Sequence, residues 1–390
     1  LTAAHWVFQF SLLAMAVTIV STPYNAVIIA HERMSAFAYI AVAECLLKLG
    51  VAVVIVFCGG DKLIIYGALL LTVAFIVRAI YSLYCRKNFE ECHYKFYWDK
   101  VLFREMGAFA GWNMYGNFAF VMTTQGVNML LNMFFGPAVN ASRAIAVQIQ
   151  SAIMGFATNF TMAINPQIVQ NYAQGKKEEI FRLVCYSSKF SFFLLLLLAL
   201  PVLLETELLL KLWLKQVPDY SVVFVRLVLI QMLIRILQNP LHTLMHATGR
   251  LRKYQLMDGT LLLLNIPVSY WLLKDGGDAT VVLIVSIIFT FMALVALLYV
   301  VWSATGFSVY VFWQKVIWRV LMVSILLGLM IYVFKKCLLE FQSLTYWFGE
   351  VSILPASVLL IWNVGMERNE RNLFRGYWKV FLVKVHLRSK

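Results

Sequence analysis

The chain has 390 residues, of which 62% are hydrophobic and only 13% charged, with a formal net charge of +14. A soluble domain has roughly 45–50% apolar and about 25% charged residues, so this composition, with a mean hydropathy of +0.79, excludes one and indicates a multi-pass membrane protein. The positive charge does not indicate nucleic acid binding, because the lysines and arginines fall mostly in short loops between apolar runs, where they act as orientation signals.

In chain order, the apolar runs lie at 6–30, 36–57, 63–84, 106–135, 139–171, 187–213, 221–247, 255–273, 279–302, 316–334 and 346–364. Each approaches or exceeds the ~20 residues that cross a bilayer as a helix, so about 11 transmembrane helices are predicted. Alternate loops carry 22 basic residues against 6 on the other side. The positive-inside rule places the richer set, and with it the C-terminus, in the cytoplasm. The richer set includes Lys176, Lys177, Arg182 and Lys189, and Arg250, Arg252 and Lys253. The segments 86–105 and 372–390 are basic, aromatic and amphipathic, as in helices that lie on a membrane surface. The six cysteines show neither CxxC nor metal spacing, so neither a disulfide framework nor a metal site is expected. No catalytic group and no cofactor is expected either.

Several spans carry polar residues at helical spacing, which in a membrane mark a bundle interior or an aqueous cavity. The span at 36–57 holds Glu44 and Lys48, an i,i+4 pair in the favourable order that reads as a structural ion pair. The span at 63–84 holds Arg78. The span from 106 carries Asn113, Asn117, Thr124 and Asn128. The next carries Asn140, Arg143, Gln150, Thr161 and Asn165. The span at 221–247 includes "QMLIRILQNPLHTLMHATGR", with Gln231, Arg235, Gln238, His242 and His246 on one helical face. An amide in a membrane helix also serves simply to bond a neighbouring helix, at about 1 kcal/mol. Arg143 and Arg235 are harder to account for in that way. Neither has an evident acidic partner, and an intramembrane arginine costs at least ~2.5 kcal/mol on insertion scales. The spans are expected to hold five basic residues (Lys48, Arg78, Arg143, Arg226 and Arg235) and one clear acid, Glu44. A cavity of that sign suits an anion, above all phosphate, which arginine binds with two parallel hydrogen bonds.

One offset recurs along the chain. Pro23 and Pro240, Ala30 and Ala247, Arg33 and Arg250, and the triplets Gly59-Gly60-Asp61 and Gly276-Gly277-Asp278 are each 217 residues apart. This predicts an internal repeat, with helix kinks at the matching prolines Pro23 and Pro240. The second copy has six helices and the first only three, so roughly 115 residues are expected upstream of Leu1. An even number of helices per copy gives two lobes of like orientation, a parallel repeat. The expected organisation is the second half of an N-terminal lobe at 1–85, a cytoplasmic amphipathic linker at 86–105, a six-helix C-terminal lobe at 106–302, an extra helix pair at 303–365 and a basic cytoplasmic tail at 366–390.

The stretches "STPYNAVIIAHERMSAFAYI" (21–40), "FREMGAFAGWNMYGNFAFVMTTQGVNMLLNMFFGPAVNASRAIAVQIQ" (103–150), "NPQIVQNYAQGKKEE" (165–179) and "LLETELLLKLWLKQVPDY" (203–220) carry a family likeness. Through them the chain resembles the polysaccharide (O-antigen, Wzx-like) flippases of the multidrug/oligosaccharidyl-lipid/polysaccharide exporter superfamily, with the look of proteins from Bacteroides-type bacteria. The resemblance begins at what would be the family's fourth helix. It implies an all-α, MATE-like fold of two pseudo-symmetric lobes, with alternating access in the inner membrane. It also implies export of undecaprenyl-pyrophosphate-linked oligosaccharide, with no nucleic acid partner and with glycan-assembly proteins as possible associates. The family's basic cavity residues map onto Arg143, within "NASRAIA", and more loosely onto Arg235 and Arg78. Gln231, Gln238, His242, Asn113, Asn117, Asn128 and Gln150 complete the expected cavity lining. Three other transport or scaffold readings stay open: a cation-coupled multidrug exporter of the same fold, a flippase for the cell-wall precursor, and a non-transporting scaffold. A membrane polysaccharide polymerase or glycosyltransferase would need clustered acids on a large loop, and no inter-helix loop exceeds about 20 residues.

Overall fold

Long apolar runs without water to solvate their backbone close their own hydrogen bonds as helices, and the described residues contain no strand. The computed structural model describes residues 2–31, 33–57, 59, 61–92, 98–338, 353–368 and 370–372. They form two compact units, Leu1–Lys100 and Val101–Lys390. The first unit contains α1 (Thr2–Ala30), α2 (Met34–Phe57), α3 (Lys62–Asn88) and a short 3-10 turn, Glu90–Cys92. Asp61 starts α3 by accepting the Leu63 N–H at 3.0 Å, a standard N-cap. α3 packs on both α1 and α2, around Ile28, Ile40, Tyr81, Cys85 and Phe89. α1 runs through Pro23 without a break.

The helices that follow are α4 (Lys100–Phe135), α5 (Pro137–Ala173), α6 (Lys177–Leu204), α7 (Thr206–Trp213), α8 (Ser221–Ile236), α9 (Asn239–Thr248), α10 (Leu251–Lys274), α11 (Thr280–Thr305), α12 (Val309–Phe312), α13 (Trp318–Leu338) and α14 (Ile353–Gly365). Among the described residues, nine helical spans are long and apolar enough to cross a membrane. α5, with 37 residues, has the length but a more polar sequence. α14 is apolar but short, and residues 339–352, where its expected start falls, lie outside the described residues. The segment 86–105 is not one helix. α3 extends into it as far as Asn88, α4 begins at Lys100, and 93–97 lie outside the described residues, as do 373–390 of the expected surface tail.

The repeat is visible in the helix bounds. Shifted by 217, Met34–Phe57 becomes Leu251–Lys274, which are the bounds of α2 and α10. The same shift carries α3 to within one residue of α11, and α1 to within two residues of α8 plus α9. The packing repeats as well, because α11 packs on both α8 and α10 as α3 packs on α1 and α2. The second aspartate of the pair, Asp278, accepts the Thr280 N–H at 3.3 Å and the Thr280 hydroxyl at 2.8 Å. It also accepts the Tyr220 hydroxyl at 2.8 Å, which ties the start of α8 to the start of α11. Tyr220 itself sits in the left-handed region at φ 67°, a costly conformation for an aromatic residue.

Within the second unit, α5 packs on α6, α8 and α9 around a long apolar core that includes Leu195, Phe224, Met232 and Leu297. α4 meets α10 across glycine. A Cβ on Gly259 would stand 2.6 Å from the Tyr115 ring, so only glycine permits that approach. The Thr123 hydroxyl donates to the Leu262 carbonyl at 2.8 Å across the same contact. The connection to the chain's end is ionic. Lys189 was expected in a basic loop, but it lies inside α6 and is almost fully buried. Its Nζ donates to Glu370 Oε1 and Oε2 at 2.5 and 2.7 Å, with side-chain exposures of 2% and 1%. Glu370 also accepts the Glu367 N–H at 2.7 Å, and Arg319 on α13 donates to the Val364 carbonyl at 3.1 Å.

Two measurements test these joints. Lys189→Met should lower thermal stability in detergent by about 3–5 kcal/mol, because it strands a buried carboxylate. The double variant Lys189→Met/Glu370→Met should recover much of that loss, whereas equal loss in both would show that the pair itself contributes net stability. For Asp278, burial raises the carboxyl pKa, but the bonds from Tyr220, Thr280 and Ala279 together outweigh it and leave the group below its ordinary range. The stabilisation is therefore present above the unfolded value near ~3.9 and is lost as pH falls through the lower folded value. Asp278→Asn should cost about 0.5–2 kcal/mol at neutral pH, a difference from wild type that shrinks in acid melts.

Candidate functional site

A cavity of about 520 Å³ opens in the second unit between α4, α5, α8, α10 and α11. Four of the expected residues line it: Arg143 and Gln150 on α5, and Gln231 and Arg235 on α8. No carboxylate is among the described residues that line it. The helix geometry explains the clustering. Gly136 at φ 82° and Pro137 open α5, a favourable start for a helix. Arg143 then sits about two turns in, one helical face along from Gln150.

Arg143 is buried, with 8% of its surface exposed. One nitrogen, Nη1, donates to the Asn128 side-chain oxygen and to the Thr124 carbonyl, the latter at 3.2 Å. Its Nε is buried without a hydrogen-bond partner. A guanidinium offers five N–H donors, so this side chain retains donors for another acceptor. Arg235 lies over the Phe120 ring, with Cζ 4.5 Å from the centroid, a cation–π contact. It also feels the charge of Asp258 on α10. Asp258 corrects the expected charge count. It lies within the span predicted at 255–273 and is an intramembrane acid besides Glu44.

The amides tie the wall together. Gln231 Nε2 donates to the Thr290 hydroxyl at 3.0 Å. Asn265 Nδ2 donates to the Ser286 hydroxyl at 2.9 Å, and Ser269 donates to Asn265 Oδ1 at 2.9 Å. This ladder joins α8, α10 and α11. Its members Asn265, Ser286 and Thr290 line the cavity and were not singled out from sequence. The available signal was the i,i+4 spacing of Ser286 and Thr290 in an otherwise apolar helix.

The expected single-faced stripe from Gln231 to His246 is broken. α8 stops at Ile236 and α9 starts at Asn239, with Pro240 in its first turn. Proline lacks the N–H that would continue the ladder. At the break, the Leu237 carbonyl accepts the Ser188 hydroxyl at 3.1 Å, and Gln238 Nε2 donates to the Thr290 carbonyl at 2.9 Å. Gln238 is therefore buried in the packing and does not line the cavity. Past the break, His242 Nδ1 and the Tyr254 hydroxyl share a hydrogen bond of 2.6 Å, and His246 packs edge-on to Phe109. Neither histidine lines the cavity.

The other candidates fall elsewhere. Asn128 stands behind Arg143 as its acceptor. Asn113 accepts from Gln255 Nε2 at 3.3 Å, and Asn117 is exposed on α4; neither lines the cavity. Arg78, half-buried on α3, belongs to the first unit. That unit has a smaller cavity of its own, about 350 Å³, lined by Thr18, Ser21, Asn25, Glu44 and Lys48. The expected pair forms there, with Lys48 Nζ 2.6 Å from Glu44 Oε1; Lys48 is exposed and Glu44 half-buried.

A family model described as MatE matches residues 114–271. The matched stretch runs from α4 into α10, covers about two fifths of the chain and includes both cavity arginines. Over it the chain is similar to a family of membrane transporters. No curated protein and no solved structure matches the chain. The coarse conclusion is an all-α, multi-pass membrane protein whose cavity-bearing segment resembles MatE.

The Arg143–Asn128 contact can be tested directly. Asn128→Leu should cost about 1–3 kcal/mol of thermal stability, since it removes an acceptor from a buried cation. Adding Arg143→Met should return part of that loss. Strictly additive costs in the double-mutant cycle would show that the two side chains do not act as a pair.

Proposed function

We propose that the chain is part of a flippase that moves undecaprenyl-pyrophosphate-linked oligosaccharide from the cytoplasmic to the periplasmic leaflet of a bacterial inner membrane. The observation that carries this reading is Arg143, a buried guanidinium with Nε left unbonded, in a cavity with no carboxylate among its described lining residues. Such a group needs an anion with several acceptor oxygens, and a pyrophosphate supplies them in the matching fork geometry. Arg235, over the Phe120 ring, offers a second cation to the same cavity from α8, which packs on α5. The uncharged donors Gln150 and Gln231 suit sugar hydroxyls. In this reading the lobes alternate access around the bound headgroup, the C-terminus is cytoplasmic, and the lipid tail stays in the bilayer. The organisation into an N-terminal lobe, a linker, a six-helix lobe, an extra helix pair and a basic tail belongs to the same proposal, as do glycan-assembly partners.

One observation favours a second reading. Asp258, half-buried on α10 within electrostatic reach of Arg235, gives the cavity's surroundings the acid that a cation-coupled multidrug exporter requires.

The test is transport of lipid-linked oligosaccharide by the full-length protein in proteoliposomes, with the matching gene deletion in cells. Deletion should accumulate the lipid-linked glycan on the cytoplasmic face and abolish surface glycan. Arg143→Ala and Arg235→Ala should each lower transport by about tenfold or more, the equivalent of a lost charged hydrogen bond. Lysine at either position should restore only part, because it lacks the fork. Full transport in both alanine variants would overturn the pyrophosphate site. Drug resistance that is conferred by the gene and lost in Asp258→Asn would favour the exporter instead.

A further inference from the structure

A second, larger groove of about 1010 Å³ lies in the second unit, away from the arginine cavity. It is bounded by the start of α4, the turn between α9 and α10, and the end of α11. Its lining shares no residue with the arginine cavity. Three cations within four residues at the start of α10, Arg250, Arg252 and Lys253, line it, against a single acid, Glu105. All three cations are exposed, and among the described residues none of them forms an ion pair. Arg252 Cζ lies 5.7 Å from the Trp112 ring centroid, a cation–π contact that leaves its N–H donors available to a ligand. The opposite wall is apolar. Met106 and Phe109 are 63% and 41% exposed there, and Val300 continues the wall along α11.

We propose that this groove binds an anionic phospholipid of the surrounding bilayer, with its phosphate on Arg250, Arg252 and Lys253 and an acyl chain along Met106, Phe109 and Val300. A small soluble anion would satisfy the cations and leave the apolar wall bare. A zwitterionic lipid would cover the wall but bring no net charge to a lining with an excess of two positive groups. An anionic phospholipid does both, and basic pockets between membrane helices on the cytoplasmic side have this chemistry. The site falls at the basic-loop end of the spans, where the charge asymmetry of the sequence puts the cytoplasmic leaflet. It does not depend on the flippase reading, and it concerns a lipid that stays in place rather than one that is moved.

The experiment uses the full chain in detergent and titrates phosphatidylglycerol or phosphatidylcholine, with binding read by native mass spectrometry and by the shift in melting temperature. Phosphatidylglycerol should bind preferentially. Each of Arg250→Gln, Arg252→Gln and Lys253→Gln should weaken it about fivefold, and the triple variant about a hundredfold. The single variants keep the test open should the triple variant not fold. Neutralising Lys176, Lys177 and Arg182, none of which lines the groove, should leave binding unchanged. Equal affinity for the two lipids, or binding unaffected by the glutamine variants, would overturn the proposal. So would displacement of phosphatidylglycerol by a polyprenyl pyrophosphate in a manner sensitive to the same variants, since that would assign the groove to a transported lipid.

Discussion

Inside a bilayer every backbone carbonyl needs a donor from the protein itself, and this requirement shapes the site. Where Pro240 interrupts the α8–α9 span, the Leu237 carbonyl is met by the Ser188 hydroxyl from α6. Gln238 turns to the Thr290 carbonyl on α11. These bonds are the condition for the break, and the break redirects the polar face. Gln231 and Arg235 stay on the cavity wall. His242 and His246 are carried to Tyr254 and Phe109 instead.

Charge is handled in different ways within the second unit. Lys189 and Glu370 neutralise each other, and together they fasten the residues after α14 to α6. That joint is closed to ligands. Arg143 is half-satisfied, with one nitrogen engaged by α4 and Nε left over. Arg235 rests on an aromatic face, with an acid in electrostatic reach. A charge that is fully partnered serves the scaffold, and one that keeps spare donors in a cavity is suited to a ligand.

Much of the helical plan was legible because apolar length and loop charge are local properties of the sequence. The repeat was legible as well, and the bounds of α2 and α10 agree with it to the residue. Arg143 and Arg235 stood out because an arginine in an apolar run is costly wherever it points. Less visible was anything that depends on a distant partner. Lys189 looked like a loop cation because Glu370 is 181 residues away. Ser286 and Thr290 looked like ordinary small residues because their role is to receive Gln231 from another helix. Asp258 sits five residues past the basic turn at Arg252 and Lys253 and reads from sequence as part of it, and the division of the histidine stripe follows from tertiary bonds at the break rather than from helical periodicity. Asn113 and Asn117 have the right spacing on α4, yet the cavity opens beside its later turns.

α2 and α10 each have 24 residues. At 1.5 Å per residue both measure about 36 Å, a little more than the ~30 Å hydrocarbon layer. Their side chains have diverged while their lengths have not. The bilayer acts as a gauge here, since one residue added within either helix would rotate everything beyond it by about 100°. In α10 that turn would swing Asn265 off Ser286 and Gly259 off Tyr115 together. A residue gained or lost within either span therefore costs packing along the whole helix, whereas the turns can absorb a change of length.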